Sequence, residues 1–130
     1  MKRLILAAAV LGLGAGVALA DPILGTWKTK PDDNGNFGHV KIEACGATFC
    51  GALVKAFDGS GKEIASENVG KRIVWDMVAY PGGLYDDGKV WSPDRNKTYD
   101  SDLTLSGNAL KVRGCVIGIC RDGGTWSRVK

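Results

Sequence analysis

Glycine interrupts this chain throughout and leaves no room for a long helix. Sixteen of the 19 glycines follow residue 20, scattered without a period. In that part of the chain, Gly or Pro breaks every run of apolar residues at the helical spacing i, i+3, i+4 and i+7, and the most helix-like segment, 63–69, is short and polar. Scattered glycine at this density is typical of many tight turns and therefore of many short strands. The sequence predicts an all-β fold.

Alternation of apolar and polar residues supports this prediction. In the run 99–105, Tyr99, Leu103 and Leu105 fall on one face, while Asp100 and Asp102 fall on the other. Eight segments bounded by turn residues are predicted strands, namely 23–30, 37–45, 50–57, 71–76, 84–91, 99–105, 110–112 and 120–129. The segment 84–91 contains Asp-Asp-Gly and is either two short strands or one bulged strand, and Gly123-Gly124 predicts a bulge in the last one.

A short meander of this kind must protect its edge strands. Closing the sheet into a barrel removes the edges altogether, and about eight strands enclose an interior that side chains fill or that holds one small ligand. We therefore expect a single small antiparallel barrel of about eight strands. A two-sheet β-sandwich would fit the same pattern and is the alternative.

The first twenty residues read as an export signal. Lys2 and Arg3 precede seventeen residues that are all apolar or Gly, and the stretch ends in Ala-Leu-Ala before Asp21. This pattern predicts a secretory signal peptide over 1–20, cleaved after Ala20, and a single β-barrel domain over 21–130. The formal net charge falls from +3 to about +1 without the signal, which argues against a nucleic-acid partner. No other apolar stretch is long enough to cross a bilayer as a helix.

Four cysteines occur as two C-x4-C units, Cys45 with Cys50 and Cys115 with Cys120. Exported chains of this size use cysteines mainly for disulfides, and the competing explanation is a zinc site, whose ligand pairs are usually spaced by two to four residues. Three disulfide connectivities are possible. A four-residue loop brings both ends of a hairpin close together, so we expect Cys45–Cys50 and Cys115–Cys120.

Residues suited to catalysis or metal binding are scarce. His39 is the only histidine, and alternation places it on a polar strand face, so neither a Ser-His-Asp triad nor a His-rich metal site can form. The segment 94–105 lacks the Gly and the final acidic residue of a calcium loop. The carboxylates that could act as an acid/base pair fall in turns or on an outward face, namely Asp86, Asp87, Asp94, Asp100 and Asp102. We expect a protein that is not an enzyme and holds no metal or cofactor.

The aromatic residues divide into two groups. Gly-Thr-Trp27 in the first strand and Arg128 in the last resemble the closing signature of lipocalin-like barrels, in which the guanidinium lies across the indole. We expect these two residues to seal one end of the barrel. The aromatic residues of the middle strands either fill the core or line a ligand cavity, namely Trp75, Tyr85, Trp91 and Tyr99.

Several segments together resemble a bacterial periplasmic family known as domain of unknown function 2147. The matching segments follow the same order along nearly all of 21–130, and both C-x4-C units fall where the family has them; the segments begin at Asp21, Val40, Phe49, Gly88, Lys97, Leu103, Leu110 and Cys120. The chain departs from the family over 71–84, where the family has a longer insert. The resemblance implies a lipocalin-like barrel in the periplasm, without assigned catalytic residues.

Two functions follow from these expectations. The first is a periplasmic carrier or sensor that holds a small apolar or amphipathic molecule inside the barrel. The second is an envelope interaction or structural module that has a filled core and works through its surface. The volume of the interior separates them, because a ligand needs a cavity of roughly 300 Å³ or more.

Overall fold

The computed structural model describes residues 21–129, so the predicted signal peptide lies outside the described residues. Within this range no helix has the length and apolarity needed to span a membrane. One short 3-10 turn, Pro81–Gly83, accompanies nine strands: β1 Gly25–Lys28, β2 Phe37–Cys45, β3 Thr48–Phe57, β4 Glu63–Ile64, β5 Arg72–Tyr80, β6 Leu84–Ser92, β7 Lys97–Ser106, β8 Ala109–Val116 and β9 Ile119–Arg128.

Eight of these strands form one closed antiparallel barrel. The strand order is β2-β1-β9-β8-β7-β6-β5-β3, and pairing between β2 and β3 closes the circle. The two-residue strand β4 extends the sheet beside the end of β3. The predicted all-β meander barrel is confirmed, and the sandwich alternative is not, because the strands run through a single closed sheet.

Three of the bulges in the strands bear on the sequence predictions. β6 is one bulged strand, with a register shift between Tyr85 and Gly88. The pairing of β9 with β8 skips Gly123, as the sequence predicts. β5 runs to Tyr80, beyond its predicted end at Asp76, because Asp76 takes a positive φ of 59° and lets pairing resume after it.

Alternate connections of a meander lie at the same end of the barrel. The segment 21–24 and the turns at 46–47, 81–83 and 107–108 lie at one end, here called the closed end. The connections 29–36, 58–71, 93–96 and 117–118 lie at the other end, here called the mouth. The largest fully buried side chains are Trp27, Phe49, Ile23, Ile42, Met77, Leu103, Leu110, Val40 and Val74. Most of them pack in the half of the barrel next to the closed end.

Candidate binding cavity

Trp27 and Arg128 seal the closed end. The guanidinium carbon of Arg128 lies 4.3 Å from the centre of the Trp27 ring, and the two residues are cross-strand partners where β1 meets β9. Arg128 also donates hydrogen bonds to the carbonyls of Leu24, at 3.1 Å, and Pro22, at 2.5 Å. The Trp27 indole donates to the carbonyl of Ile23 at 2.9 Å. The segment 21–24 is therefore fastened across this end by two side chains from the strands.

A second contact fastens the same segment from the opposite wall. The hydroxyl of Tyr85 donates a hydrogen bond to the Asp21 carboxylate at 2.5 Å, and the Tyr85 ring meets Phe49 edge-on with 5.5 Å between ring centres. Burial, together with this bond to Asp21, raises the pKa of the Tyr85 hydroxyl above its usual range. Tyr85 therefore stays protonated and acts as a donor that holds the segment in place.

The mouth half of the barrel encloses a cavity of about 1130 Å³. Its walls are mainly aliphatic and aromatic: Val40, Leu53, Ile73, Val90, Val112 and Trp126. The loops at the mouth also line it, so the cavity opens at that end and stops at the packed half. With its open mouth included, this volume slightly exceeds the roughly 300–1,000 Å³ that is typical of small-molecule sites, so the space is large enough for one small ligand.

Small inward residues explain why the space stays open. Gly38 and Gly114 face the interior from β2 and β8, and Ala56 does so from β3. At Gly38 the Leu53 side chain occupies the place of the missing Cβ, so Gly38 makes room for Leu53 and not for the void. At Gly114 the position of the missing Cβ lies 3.5 Å from the nearest atom of the Tyr99 ring, an ordinary contact distance. The equivalent layer at the closed end holds Phe49, Tyr85 and other large side chains instead. The difference in side-chain volume leaves the void at one end only.

The structure separates the four aromatic residues expected to line the cavity. Trp91 and Tyr99 do line it, near the mouth. Trp75 pairs with the exposed Lys89 and lies on the outer face, whereas Tyr85 is buried at the closed end. The bulge at Asp76 explains the position of Trp75, because two residues separate the inward side chains of Val74 and Met77.

Polar groups surround the opening. The indole of Trp91 donates to Asn96 at 3.1 Å, and Arg95 reaches the Tyr99 hydroxyl at 3.5 Å. Lys30 and Arg121 line the opening as well. Four carboxylates share this ring, Asp32, Asp33, Asp94 and Asp122, and two of them accept backbone hydrogen bonds that fix the loops, Asp32 from Asn36 and Asp122 from Gly124. The opening therefore carries four carboxylates and three cations, and these groups can contact the polar end of an amphipathic molecule.

Sequence reasoning missed Trp126 as a cavity residue. From the sequence, Arg128 is assigned a role in the seal and Trp126, two residues before it in the same strand, is assigned none, whereas Trp126 lines the cavity. Trp126 pairs with Leu110, whose side chain is fully buried, so it faces the interior. Gly124 and Trp126 are two residues apart and lie on the same inward face of β9, after the bulge at Gly123. Once this bulge is recognised, the alternation along β9 indicates that Trp126 faces the interior.

Each predicted cysteine pair lies at disulfide distance. The Cα atoms are 5.8 Å apart for Cys45–Cys50, at the closed end, and 4.0 Å apart for Cys115–Cys120, at the mouth. The sulfurs of Cys115 and Cys120 lie near the Asp102 carboxylate, an arrangement that resembles a metal site. Because the sulfurs are bonded to each other and Arg113 binds both carboxylate oxygens, at 2.8 and 2.6 Å, these atoms are not free to bind an ion.

Asp102 departs from its expected role as a solvated surface residue. It lies on the outward face, as the alternation predicts, but it is only 5% exposed because Arg113 covers it. Two other candidate carboxylates also have side-chain partners: Asp100 forms an ion pair with Lys89 at 2.6 Å, and Asp87 accepts a hydrogen bond from Tyr80. No pair of these carboxylates faces the cavity from opposite walls.

His39 lies on the outer face of β2, where its cross-strand partners are Lys28 and Lys55. Its ring centre is 4.5 Å from that of Phe57. Partial burial, followed by the charge of Lys55, lowers the pKa of His39 below its usual value. The residue therefore belongs to a surface cluster and not to the cavity.

Comparison with known proteins gives one structural relative and one family. A protein from the human pathogen Helicobacter pylori, HP1028, described as belonging to the lipocalin family, superposes with a TM-score of 0.65 at 14% identity over 82% of each chain. At that identity the likeness concerns the fold alone. No curated protein matches the sequence. Residues 25–128 match a family described as an uncharacterized protein conserved in bacteria, DUF2147. Because the match covers all nine strands, the seal and both disulfides, this lipocalin-like barrel belongs to the DUF2147 family.

Proposed function

We propose that this protein is a periplasmic, non-enzymatic carrier or sensor that binds one small, mainly apolar or amphipathic molecule inside its barrel. The observation that carries the proposal is the cavity of about 1130 Å³ with aliphatic and aromatic walls. An interaction module that works only through its surface would gain stability by filling this space. The open volume therefore favours the ligand-binding function over the filled-core alternative.

The distribution of polarity sets the orientation of the ligand. Val112 and Trp126 lie at the inner part of the cavity, beside the packed core, and offer mainly apolar surface. Lys30, Arg95 and Arg121 lie at the opening. A ligand would bury its apolar part against the first two residues and leave its polar end among the cations. Trp91 and Tyr99 line the cavity near the mouth and would contact the part of the ligand next to its polar end.

The absence of enzymatic activity is proposed from the placement of the titratable groups. His39 lies outside the barrel, and Asp102 and Asp100 are bound to Arg113 and Lys89. The groups that line the cavity wall are mostly apolar and offer no nucleophile with an adjacent base. Export is supported by the sequence of residues 1–20 and by the two cysteine pairs, since disulfides persist in oxidising compartments.

Binding of 1-anilinonaphthalene-8-sulfonate, an amphipathic anion, tests the proposal. Its fluorescence is expected to rise on binding, and the melting temperature is expected to rise with probe concentration by mass action. Val90→Phe places a ring in the cavity and is expected to weaken probe binding by about tenfold without lowering stability. Replacing Trp91 and Tyr99 by Ala is expected to weaken binding while both disulfides remain.

Val54→Phe is the matched control, because Val54 lies on the outer face of β3 with 41% exposure. It makes the same substitution outside the cavity and is expected to leave probe binding unchanged. Equal binding by the Val90→Phe variant would place the probe on the outer surface and end the proposal. Native mass spectrometry of protein taken from its own periplasm then identifies any molecule that co-purifies.

A further inference from the structure

The tip of the hairpin between β8 and β9 exposes three aliphatic side chains next to one another. Val116, Ile117 and Ile119 are 55%, 94% and 64% exposed, respectively. Single exposed apolar residues are ordinary on protein surfaces, whereas a contiguous group marks an interaction site. The turn at the other stapled hairpin, between β2 and β3, consists of Gly46 and Ala47 and has no such group.

The backbone at this tip disfavours the residue that occupies it. Ile117 and Gly118 form the turn with φ values of 50° and 76°. Turns with two positive φ values prefer Asn-Gly, and a β-branched residue is an outlier at the first position. Folding alone would therefore favour Asn at position 117. Residues that violate a local backbone preference are concentrated at functional sites. We therefore expect a function for the Ile117 side chain.

The tip is rigidly placed at the mouth. The Cys115–Cys120 disulfide closes the hairpin directly below the three aliphatic residues. The same three residues belong to the lining of the cavity opening. A pre-organised loop loses little conformational entropy on binding, so the tip is suited to contact a surface that the mouth faces.

Cationic side chains flank the tip. Lys97 and Arg121 lie on its two sides and make no ion pair with any of residues 21–129. A groove of about 310 Å³ on the outside of the hairpin is bounded by Lys97 and by the ion pair of Lys89 with Asp100 on one side, and by Val116 and Ile117 on the other. Aliphatic side chains beside free cations match the acyl boundary and the phosphate layer of a lipid leaflet.

We propose that the β8–β9 tip docks the mouth of the barrel onto an anionic lipid bilayer. Ile117, Ile119 and Val116 enter the acyl boundary, and Lys97 and Arg121 contact lipid phosphates. The groove accommodates the headgroup of one lipid between Lys97 and Val116. This inference deepens the proposed function, because docking at the mouth would let an apolar ligand pass between bilayer and cavity without crossing water. It can be tested separately, since docking needs no ligand.

Co-flotation with vesicles of phosphatidylethanolamine and phosphatidylglycerol tests docking. The purified protein is expected to float with these vesicles and to float less with vesicles of phosphatidylcholine alone or at high salt. The double variant Ile117→Asn/Ile119→Ser is expected to bind at least about tenfold more weakly, because it loses the burial of two large aliphatic side chains. Asn at 117 suits the turn, so the hairpin is expected to stay folded, which the melting temperature checks.

Val54→Ser/Val69→Ser is the control, since it removes two other exposed aliphatic residues, and it is expected to float like the unmodified protein. Lys97→Ala/Arg121→Ala is expected to lose binding several-fold and to lose most of its salt dependence. Failure of the unmodified protein to float, or equal flotation of the Ile117→Asn/Ile119→Ser variant, overturns the proposal. Dimerisation that this variant abolishes, without vesicle binding, assigns the tip to a second copy of the chain. Normal fluorescent probe binding with no flotation refutes docking alone and leaves the proposed function standing.

Discussion

The two ends of this barrel are built from the same strands but are packed differently. At the closed end, Trp27, Phe49 and Leu103 fill the interior, and Arg128 and Tyr85 fasten the segment 21–24 across the opening. At the mouth, the inward positions include Gly38, Ala56 and Gly114, and the interior holds a cavity. We therefore expect the packed closed end to contribute most of the stability of the fold, which leaves the mouth free to carry a site.

Each end also has one disulfide-closed hairpin. Cys45–Cys50 closes a turn of small residues at the closed end, whereas Cys115–Cys120 closes an aliphatic turn at the mouth. The two disulfides have the same separation along the sequence. The two turns differ in the side chains that they expose, which is the reason that we propose an interaction surface at the mouth.

Matched leucine substitutions are the strongest test of the comparison. Leu103→Ala in the packed half is expected to lower the free energy of unfolding by about 3–4 kcal/mol, because it leaves a new void among buried side chains. Leu53→Ala, on the cavity wall, is expected to cost about 1–2 kcal/mol, because it only enlarges a space that is already open. Denaturant unfolding of both variants measures the difference. Equal losses would mean that the two ends contribute equally to stability.

The seal provides the next largest effect. Arg128→Ala is expected to lose about 1–2 kcal/mol of stability, since it removes the stacking on Trp27 and the hydrogen bonds to Leu24 and Pro22. A double-mutant cycle with Trp27→Phe is expected to show coupling between the two residues. Additive effects would indicate that the stack contributes nothing to the seal.

The two inward tyrosines provide a smaller, matched comparison. Tyr85→Phe is expected to cost about 1 kcal/mol, because it removes the hydrogen bond to Asp21 that fastens the segment 21–24. Tyr99→Phe is expected to stay within about 0.5 kcal/mol of the unmodified protein, because its hydroxyl contacts Arg95 only at 3.5 Å. Thermal unfolding of both variants ranks them. A larger loss of stability for Tyr99→Phe than for Tyr85→Phe would contradict the expectation that the closed end contributes more to stability than the mouth.

The smallest expected effect is the pH dependence at His39. The folded protein lowers the pKa of His39, so below the usual pKa of about 6.5 the unfolded chain binds more protons than the folded one. The contribution of His39 to the free energy of unfolding is therefore present above the unfolded pKa of about 6.5. This contribution is lost as the pH falls from there towards the lower pKa of the folded state. His39→Gln is expected to flatten this part of the curve of melting temperature against pH. An unchanged curve would show that other titratable groups determine how the melting temperature depends on pH.

Much of the fold could be predicted because it depends on local patterns. Glycine-rich turns and alternation over 99–105 indicated a meander, and the spacing of Gly-Thr-Trp27 and Arg128 indicated where it closes. The bulge at Asp76 was not predicted, since a positive φ at an aspartate depends on the pairing of β5 with its neighbours. That bulge moved Trp75 out of the predicted set of cavity residues.

The sequence by itself determined the strand pattern, the cysteine pairs within each hairpin and the residues of the seal, because these follow from contacts between near neighbours or from side-chain chemistry at fixed spacings. Only the tertiary structure decided which inward positions meet around a void. Gly38, Ala56 and Gly114 come from three different strands, and nothing in their local sequence shows that they line the same cavity. The physical reason is that packing density depends on the summed volume of side chains from all strands at one level, which closure of the barrel alone brings together.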